Sequence, residues 1–544
     1  MSKKRKNVIV SLLSLIYTIF IIVGKSFYES NSFEYIINNL LINIFFAILI
    51  FFFLFFILKK IFVYLDNLRE KRNNKIGKKS KVITTFLNHP FLFSLLFIII
   101  CWLPYIISFY PIILSPDPSF QIKQFFGIPN KYSTYVIMLD PKVTITNHHP
   151  VLHTILLGTC LKIGTIIGND NLGLFLYSII QILILSSTLA YTICFLKEKG
   201  MNYKYLIVML LIYSFVPVFP FYAMSAVKDV IFGSLIILYI INIYKISKEQ
   251  VIDNKTILKN FLLFILVILF RNNGIHTILL SFPFLFLLKR KKEYKIKILV
   301  LFILTLTFNT TYNNVILPGL KITQTSVREK LSIPFQQTAR YVKEHSKEIK
   351  EDEKEIIDKI LGYETLASRY NAELADPVKN EYNKYATKKD LSDYFKVWFQ
   401  QFLKHPVTYF EATINNTYGY FYPEKTNWYI YYKYDKRIVE DGFEYHYNGL
   451  KESRKILSTF GKEFYRIPII GLLINIALNV WVLIFMLMYY FYRKKYQSII
   501  YLIPSFVLVL VCFASPVNAY FRYALPYIFA NLLNIGLFIK EIKE

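Results

Sequence analysis

Four charged side chains stand next to long apolar runs, where charge is unusual. Asp117 lies in YPIILSPDPSFQIKQFFG, Lys228 in SAVKDVIFG, Arg271 in FRNNGIHT and Arg522 in NAYFRYALP. A carboxylate can take a proton from a hydroxyl group, and three cations can bind a phosphate. Each also has a structural interpretation, because Asp with Pro118 after it is a good helix N-cap and cations at span ends snorkel to lipid headgroups. The four residues therefore predict either a site that binds an anion, or a helix cap together with cations that contact lipid headgroups at the ends of spans.

The stretch TNHHPVLHT places His148, His149 and His153 close together. His149 and His153 are four residues apart and could share a helical face, so metal binding is conceivable, but a lone histidine pair without an Asp-x-Asp pair near Asp117 is a weak signal. We expect these side chains to shape a substrate groove or to cap a helix, with no metal. Asp229, which follows Lys228, has a simple interpretation as the charge partner of that lysine.

The composition is that of a membrane protein. Of 544 residues, 55% are hydrophobic and only 18% are charged, with a mean hydropathy of +0.39. Apolar runs of about 18 or more residues predict membrane spans. The net charge of +28 is concentrated in short loops between these runs, which indicates cytoplasmic loops and not a nucleic-acid partner. The four cysteines lie in apolar segments without ligand-like spacing, so we expect neither a disulfide nor zinc.

The loop charges predict about twelve spans with both termini in the cytoplasm. The expected spans are 8–24, 36–60, 91–112, 171–196, 203–222, 230–245, 258–270, 274–288, 296–318, 466–492, 498–515 and 523–540. The apolar run 151–168 is not counted, because Lys162 and neighbouring small or polar residues (Thr154, Gly158, Thr165) fit a helix lying in the outer interface. This map places Asp117 and the three cations on the outer face.

The chain divides into four parts on this map. Residues 1–90 hold two spans and a basic cytoplasmic loop, and 91–318 hold the membrane core with an outer loop at 113–170. Residues 319–465 form an extracytoplasmic segment, and 466–544 hold three final spans. The outer segment contains helical runs and a Tyr-rich tract that suits sugar stacking or an interfacial aromatic belt. No P-loop, GxGxxG, kinase or triad motif is present, so we expect no cofactor.

These residues carry a resemblance to a known group of enzymes. An aspartate opening the first large outer loop, His149-Pro150 before a second interfacial helix, and FRYALP late in the chain resemble the GT-C glycosyltransferase superfamily, in the style of protein O-mannosyltransferases and lipid A aminoarabinose transferases. The motifs SPDPSFQ, NHHPVLHT, VKDVIFG, FRNNG, IPFQQTAR and ADPVK resemble an uncharacterised family of bacterial membrane proteins linked to that superfamily, over most of residues 90–530. The acidic pair of the mannosyltransferases is replaced by Asp117-Pro118.

The resemblance implies an all-α polytopic fold with about twelve transmembrane helices, interfacial helices in the first outer loop and a mostly helical outer segment. It implies an inverting transfer of a sugar from a polyprenyl-phosphate carrier to a cell-envelope glycan, lipid or protein, on the outer face of a bacterial plasma membrane. Asp117 is then the general base, and Lys228, Arg271 and Arg522 bind the donor phosphate. The substrate-groove residues expected from these motifs are Asn147, His148, His149, His153, Asp229, Asn272 and Arg340.

Two other functions fit the same pattern. A polysaccharide polymerase or ligase would also have about twelve spans and a large outer loop, but it would use a polyprenyl-diphosphate oligosaccharide. A non-enzymatic transporter of lipid-linked sugars should show internal repeats and interrupted helices near the midplane, and we find no repeat in the sequence.

Overall fold

The computed structural model describes residues 3–70, 80–132, 143–426, 429–430, 432 and 434–544. Within them the chain is almost entirely helical, and β pairing is limited to three isolated bridges. The α-helices of eight or more residues are α1 (Lys3–Ser30), α2 (Leu40–Glu70), α3 (Lys81–Asn88), α4 (Pro90–Ser108), α5 (Pro116–Phe125), α6 (Val151–Ile167), α7 (Asp170–Glu198), α8 (Tyr203–Phe215), α9 (Lys228–Lys248), α10 (Asn254–Phe270), α11 (Gly274–Ser281), α12 (Lys292–Thr311), α13 (Ser332–His345), α14 (Glu351–Leu361), α15 (Lys388–Lys404), α16 (Pro406–Asn415), α17 (Lys451–Glu463), α18 (Ile476–Arg493), α19 (Ile503–Phe513) and α20 (Phe521–Lys543).

Nine helical segments of the described chain are long and apolar enough to cross a bilayer, so the fold is that of a helical membrane protein. They are α1, α2, α4, α7, α9, α12 with its continuation to Gly319, α18, the segment Tyr496–Phe513 that contains α19, and α20. The expected all-helical class is confirmed, whereas twelve spans and the inside–outside map stay predictions. The expected spans at 203–222, 258–270 and 274–288 fall on helices of fewer than 18 residues.

Two helix boundaries differ from expectation for local reasons. Helix α8 stops at Phe215, because Pro217 cannot continue the hydrogen-bond ladder, and a short helix (Val218–Ala223) follows. The expected span at 466–492 begins only at Ile476. Before it, Ile469 has a positive φ of 66°, a conformation in which no helix can continue, and a 3₁₀ turn follows it.

The spans differ in how far they are enclosed by protein. Helix α9 packs against α7, α10 and α20, and 89% of its apolar stretch is buried, whereas only 6% of that of α2 is buried. A helix that is apolar on all sides and uncovered by protein is suited to lipid contact. The bundle core therefore lies around α9 and α20, and α2 faces the bilayer.

Helices α5 and α6 form a layer at one end of the bundle. The ring of Phe125 in α5 lies directly over Gly158 in α6, where a Cβ atom would clash with it. Two side-chain hydrogen bonds connect α6 to α7. Thr165 bonds to Asp170 near the turn between the helices, and His153 bonds to Tyr177 further from the turn. Whether α6 crosses the membrane stays a prediction, although Thr154 and Gly158 pack against protein while Lys162 is exposed.

The predicted extracytoplasmic segment is helical and has its own core. Buried residues of α13 to α16 form a separate hydrophobic cluster that includes Phe335, Tyr341, Tyr394 and Tyr409. The segment also touches the membrane part through backbone, because Asn147 N donates to Thr323 O and Ala375 N donates to Pro516 O. These two connections bring Thr323 and Ala375 to the same end of the bundle as α5.

Candidate functional site

Asp117 and Arg522 meet at the start of two helices. The Asp117 Oδ2 atom lies 2.8 Å from Nη2 of Arg522, and the Asp117 side chain keeps a quarter of its surface exposed whereas Arg522 keeps 6%. The prediction that Asp117 is the N-cap is wrong: the helix starts at Pro116, Ser115 is the N-cap, and no side-chain cap bond is made. The carboxylate is turned to the arginine instead. Burial is the largest single effect and would raise the pKa of Asp117, but the basic groups around it, with the Arg522 guanidinium first among them, together hold the pKa well below its usual range.

Asp229 is fully buried and lies between two arginines. It forms an ion pair with Nη1 of Arg271, and its Oδ2 atom lies 3.2 Å from Nε of Arg522. The interpretation of Asp229 as the partner of Lys228 is therefore wrong, since adjacent residues at a helix start point in different directions. A buried carboxylate between two buried guanidinium groups compensates charge that would otherwise be costly. Asp229 positions both arginines, and Arg522 links it to Asp117.

Lys228 pairs with a histidine. Its Nζ atom lies 3.0 Å from Nδ1 of His149, and burial followed by the nearby Lys228 charge lowers the pKa of His149 well below its usual range. The imidazole is thus neutral, and with Nδ1 accepting from the Lys228 ammonium group, the tautomer that fits this contact carries the ring proton on Nε2. That Nε2 atom is buried and has no hydrogen-bond partner in the described part of the chain. A buried N–H donor without a partner is costly, so it is suited to a ligand oxygen.

The outer segment contributes charged residues next to His148. The His148 ring stacks on Tyr132 with a centroid distance of 4.0 Å, and its Nδ1 atom lies 3.9 Å from Oε1 of Glu329. Lys379 Nζ lies 2.7 Å from Oε2 of Glu329 and 2.9 Å from Oδ1 of Asp376. Burial lowers the pKa of His148 to about 4, so its imidazole is neutral at pH 7. Lys379 belongs to the quoted ADPVK motif, but no sequence signal identified Tyr132 or Glu329.

Other predicted groove residues have structural roles. Asn272 Nδ2 donates to the backbone oxygen of Asn147 at 2.6 Å, which ties the start of α11 to the loop before α6. Both ring nitrogens of His153 are engaged, with Gln121 Oε1 at 3.1 Å and the Tyr177 hydroxyl at 2.7 Å. These bonds connect α5, α6 and α7, and they leave His153 no lone pair for a metal.

Arg340 is not joined to the charged cluster by any contact in the described residues. Its partners are Glu344, Glu411 and the Asn31 carbonyl, at 2.8, 2.5 and 2.8 Å. It lines a separate cavity of about 850 Å³ beside the connection between α1 and α2. Its expected place in the substrate groove is therefore not supported, because three acceptors already hold the guanidinium in the outer segment.

The geometry does not support metal binding at His149 and His153. His149 precedes α6, so His149 and His153 do not share a helical face. Among the residues that the structure describes, the three side chains whose ligand atoms lie within 4.8 Å of one another are His345, Glu348 and His405, in the outer segment. The two imidazoles of that group stack at 3.7 Å and nearly parallel, so their in-plane lone pairs do not converge on one point.

The central cluster has a net positive charge. Counted as formal charges, Lys228, Arg271 and Arg522 contribute three positive charges and Asp117 and Asp229 two negative charges, so these five side chains sum to one positive charge. Aromatic faces add to it, because the Arg522 guanidinium lies 5.6 Å and that of Arg271 5.4 Å from the Tyr523 ring centroid. Such a cluster can bind a singly charged anion and holds a partly exposed carboxylate beside it.

The chain belongs to a protein family of unknown function. The model of that family, DUF6020, matches residues 1–544. No curated protein and no solved structure matches the chain.

Proposed function

We propose that this member of DUF6020 is a membrane glycosyltransferase that moves a sugar from a polyprenyl-phosphate carrier to a cell-envelope acceptor. The proposal rests on one observation above all: a partly exposed carboxylate, Asp117, is paired with a cation, Arg522, that belongs to a net positive cluster. A base for a hydroxyl group and a binding site for phosphate are the two parts that such a transfer needs. The resemblance to GT-C enzymes supports the same function.

Charge matching favours a phosphodiester donor. A sugar linked to a lipid by one phosphate carries a single negative charge, which balances the single positive charge of the cluster. When the phosphate takes contacts from Arg522, the attraction between Arg522 and Asp117 is weakened, and the pKa of Asp117 rises from its depressed value. Donor binding would therefore turn a poor base into a better one at the moment when it is needed.

The transfer step balances in atoms and charge. The acceptor oxygen attacks the anomeric carbon while its proton moves to the Asp117 carboxylate, and the bond between the anomeric carbon and the phosphate oxygen breaks. The leaving phosphate keeps the electron pair and gains a second negative charge, which Lys228, Arg271 and Arg522 stabilise. Attack from the face opposite the leaving group inverts the anomeric centre. The neutral imidazole of His149 donates a hydrogen bond from Nε2 to an oxygen atom of the lipid-linked sugar.

The site would face the outside of a bacterial plasma membrane with both termini in the cytoplasm, as the loop charges indicate. There no nucleotide sugar is available, and the lipid carrier is the source of the sugar. The proposal involves three partners: a polyprenyl-phosphate-linked sugar, an acceptor that is a cell-envelope glycan, lipid or protein, and the bilayer. No cofactor takes part.

Incubation of purified protein with labelled polyprenyl-phosphate sugars and a cell-envelope fraction, without nucleotide, tests this function. We expect label in the acceptor together with release of polyprenyl phosphate. Label that appears only with a polyprenyl-diphosphate oligosaccharide would indicate a polymerase or ligase. Movement of the lipid across proteoliposomes without a new glycosidic bond would indicate a transporter.

A further inference from the structure

A second cavity, of about 390 Å³, lies beside helix α17 (Lys451–Glu463). This volume is in the range of small-molecule sites. Of its ten described lining residues, four are cationic and none is acidic. The cations are Lys451, Arg454, Lys455 and Lys462, and the opposite wall is aromatic, with Phe109 and three tyrosines. None of these residues belongs to the cluster around Asp117, so the cavity has a chemistry of its own.

The spacing of the cations explains why they meet in one cavity. Residues 451, 454, 455, 458 and 462 recur at intervals of three and four, so they occupy one face of the helix. On a second face, Leu457 packs against the main core and Gly461 lies under the ring of Phe221. The sequence of α17 therefore turns a continuous basic face toward the cavity.

The third face of α17 is apolar and uncovered. Ile456 and Phe460 are 67% and 42% exposed. The chain that follows exposes more apolar side chains, among them Ile469, Ile470 and Leu472, before the candidate span α18 begins at Ile476. A helix with a basic face, an uncovered apolar face and a span directly after it has the features of a helix that lies at a membrane surface.

Of the four cations, Arg454 is held by contacts within the protein, whereas the three lysines are free to contact a ligand. Arg454 Nη1 donates to Ser108 O at 3.0 Å and to Asn448 Oδ1 at 2.7 Å, and its guanidinium lies 5.0 Å from the Tyr447 ring centroid. Lys451, Lys455 and Lys462 are exposed and form no ion pair with any described residue. Three uncompensated ammonium groups around one cavity favour an anionic ligand over a sugar or a peptide.

We propose that this cavity binds the phosphate-bearing headgroup of an anionic membrane lipid. The lysines surround the phosphate, the hydroxyls of Ser458 and Thr459 donate to its oxygens, and the tyrosines border the headgroup. The acyl chains lie along the uncovered apolar face of α17. The same phosphate chemistry could come from a soluble phosphate ester, but the exposed Ile456 and Phe460 favour the lipid. This inference is independent of the proposed transferase activity.

Lipid binding by the detergent-purified full chain tests the proposal. Short-chain phosphatidylglycerol, short-chain phosphatidylcholine and soluble glycerol phosphate are titrated against wild type, and against a variant with Lys451→Gln, Lys455→Gln and Lys462→Gln. The matched control has Lys350→Gln, Lys388→Gln and Lys389→Gln, which removes three exposed charges from the outer segment. The single variant Lys455→Gln, at an exposed side chain, guards against misfolding of the triple variant.

We expect wild type and the control to bind phosphatidylglycerol more tightly than phosphatidylcholine. The triple variant should lose about tenfold or more in affinity for phosphatidylglycerol, since each lysine near an anionic headgroup contributes measurably, and Lys455→Gln should lose a smaller part. Equal affinity of wild type and the triple variant would overturn the proposal. Binding of glycerol phosphate as tight as that of phosphatidylglycerol would assign the cavity to a soluble ligand and overturn the lipid assignment.

Discussion

The carboxylate of Asp117 and the guanidinium of Arg522 form an ion pair of 2.8 Å that joins the first turn of α5 to the first turn of α20. Because Arg522 also approaches Asp229 at 3.2 Å, it connects the proposed base to the buried part of the cation cluster. The proposed base and the proposed phosphate site therefore share one residue. A ligand that engages Arg522 must change the electrostatic environment of Asp117.

Replacement of Arg522 should weaken binding of the donor. In Arg522→Met, loss of a charge-assisted contact to phosphate should raise the dissociation constant for a polyprenyl-phosphate sugar about tenfold or more. Arg522→Lys keeps the charge but cannot reach Asp117 and Asp229 with one fork, so it should restore binding only in part. Arg466→Met, which removes an exposed arginine paired with Glu463, is the control. Donor affinity of Arg522→Met equal to that of wild type would exclude Arg522 from the phosphate site.

Asp229→Asn should destabilise the fold. The change removes the carboxylate between Arg271 and Arg522 and leaves buried positive charge uncompensated, which typically costs about 3–5 kcal/mol. The apparent unfolding midpoint in detergent measures this loss. Asp393→Asn removes an exposed pair with Lys396 and should change the midpoint little. A midpoint for Asp229→Asn that matches the Asp393→Asn value would show that Asp229 does not compensate the arginines.

The sequence predicted the class of fold and the identity of the charged residues, but not their pairing. Apolar length and loop charge depend on local composition, so the long spans could be located from sequence. The pairing of carboxylates with cations depends on how helices that are distant in the sequence pack together. The predicted partner of Asp229 was therefore wrong. The N-cap at Ser115 was missed because Pro116 and Pro118 both suit a first helical position. Glu329 was missed because only the fold of the outer segment places it beside His148.

The predicted topology can be tested with single cysteines. On intact cells, an impermeant thiol reagent should label a cysteine at Asn380, an exposed position of the outer segment, and should not label one at Lys255, an exposed position in the first turn of α10. Four native cysteines are present, so wild type provides the background. Lysed cells should label both positions. Labelling at Lys255 with protection of Asn380 on intact cells would place the Asp117 site in the cytoplasm.

The neutral state of buried His148 predicts a dependence of stability on pH. Burial lowers the pKa of His148 to about 4, whereas in the unfolded chain the pKa is about 6.5. As pH falls through this window, the unfolded chain takes up a proton that the folded chain does not, so stability decreases. The pKa values of the Asp117 and Glu329 carboxyl groups are lowered in the folded protein, so these groups also reduce stability as pH falls. They do so only below the usual pKa of a carboxyl group, about 4.

Unfolding midpoints at pH 7 and pH 5 measure this effect. His148→Gln should reduce the loss of stability between these pH values by about 1–2 kcal/mol. His446→Gln, a substitution at an exposed imidazole, is the control. The same loss in His148→Gln as in wild type would show that His148 is not held neutral in the folded protein.

The nucleotide-free transfer rate of Asp117→Asn, compared with wild type, tests the central claim most directly. Asn has the same shape but takes no proton from an acceptor hydroxyl, and loss of a general base typically lowers the rate about 10²–10⁴-fold. Asp441→Asn, which removes the 2.8 Å ion pair between Asp441 and Lys123 of the same helix α5, is the matched control. We predict that Asp117→Asn is expressed and binds the donor but transfers sugar at least about a hundredfold more slowly, while Asp441→Asn transfers it near the wild-type rate. Transfer by Asp117→Asn at the wild-type rate would contradict the assignment of Asp117 as the base.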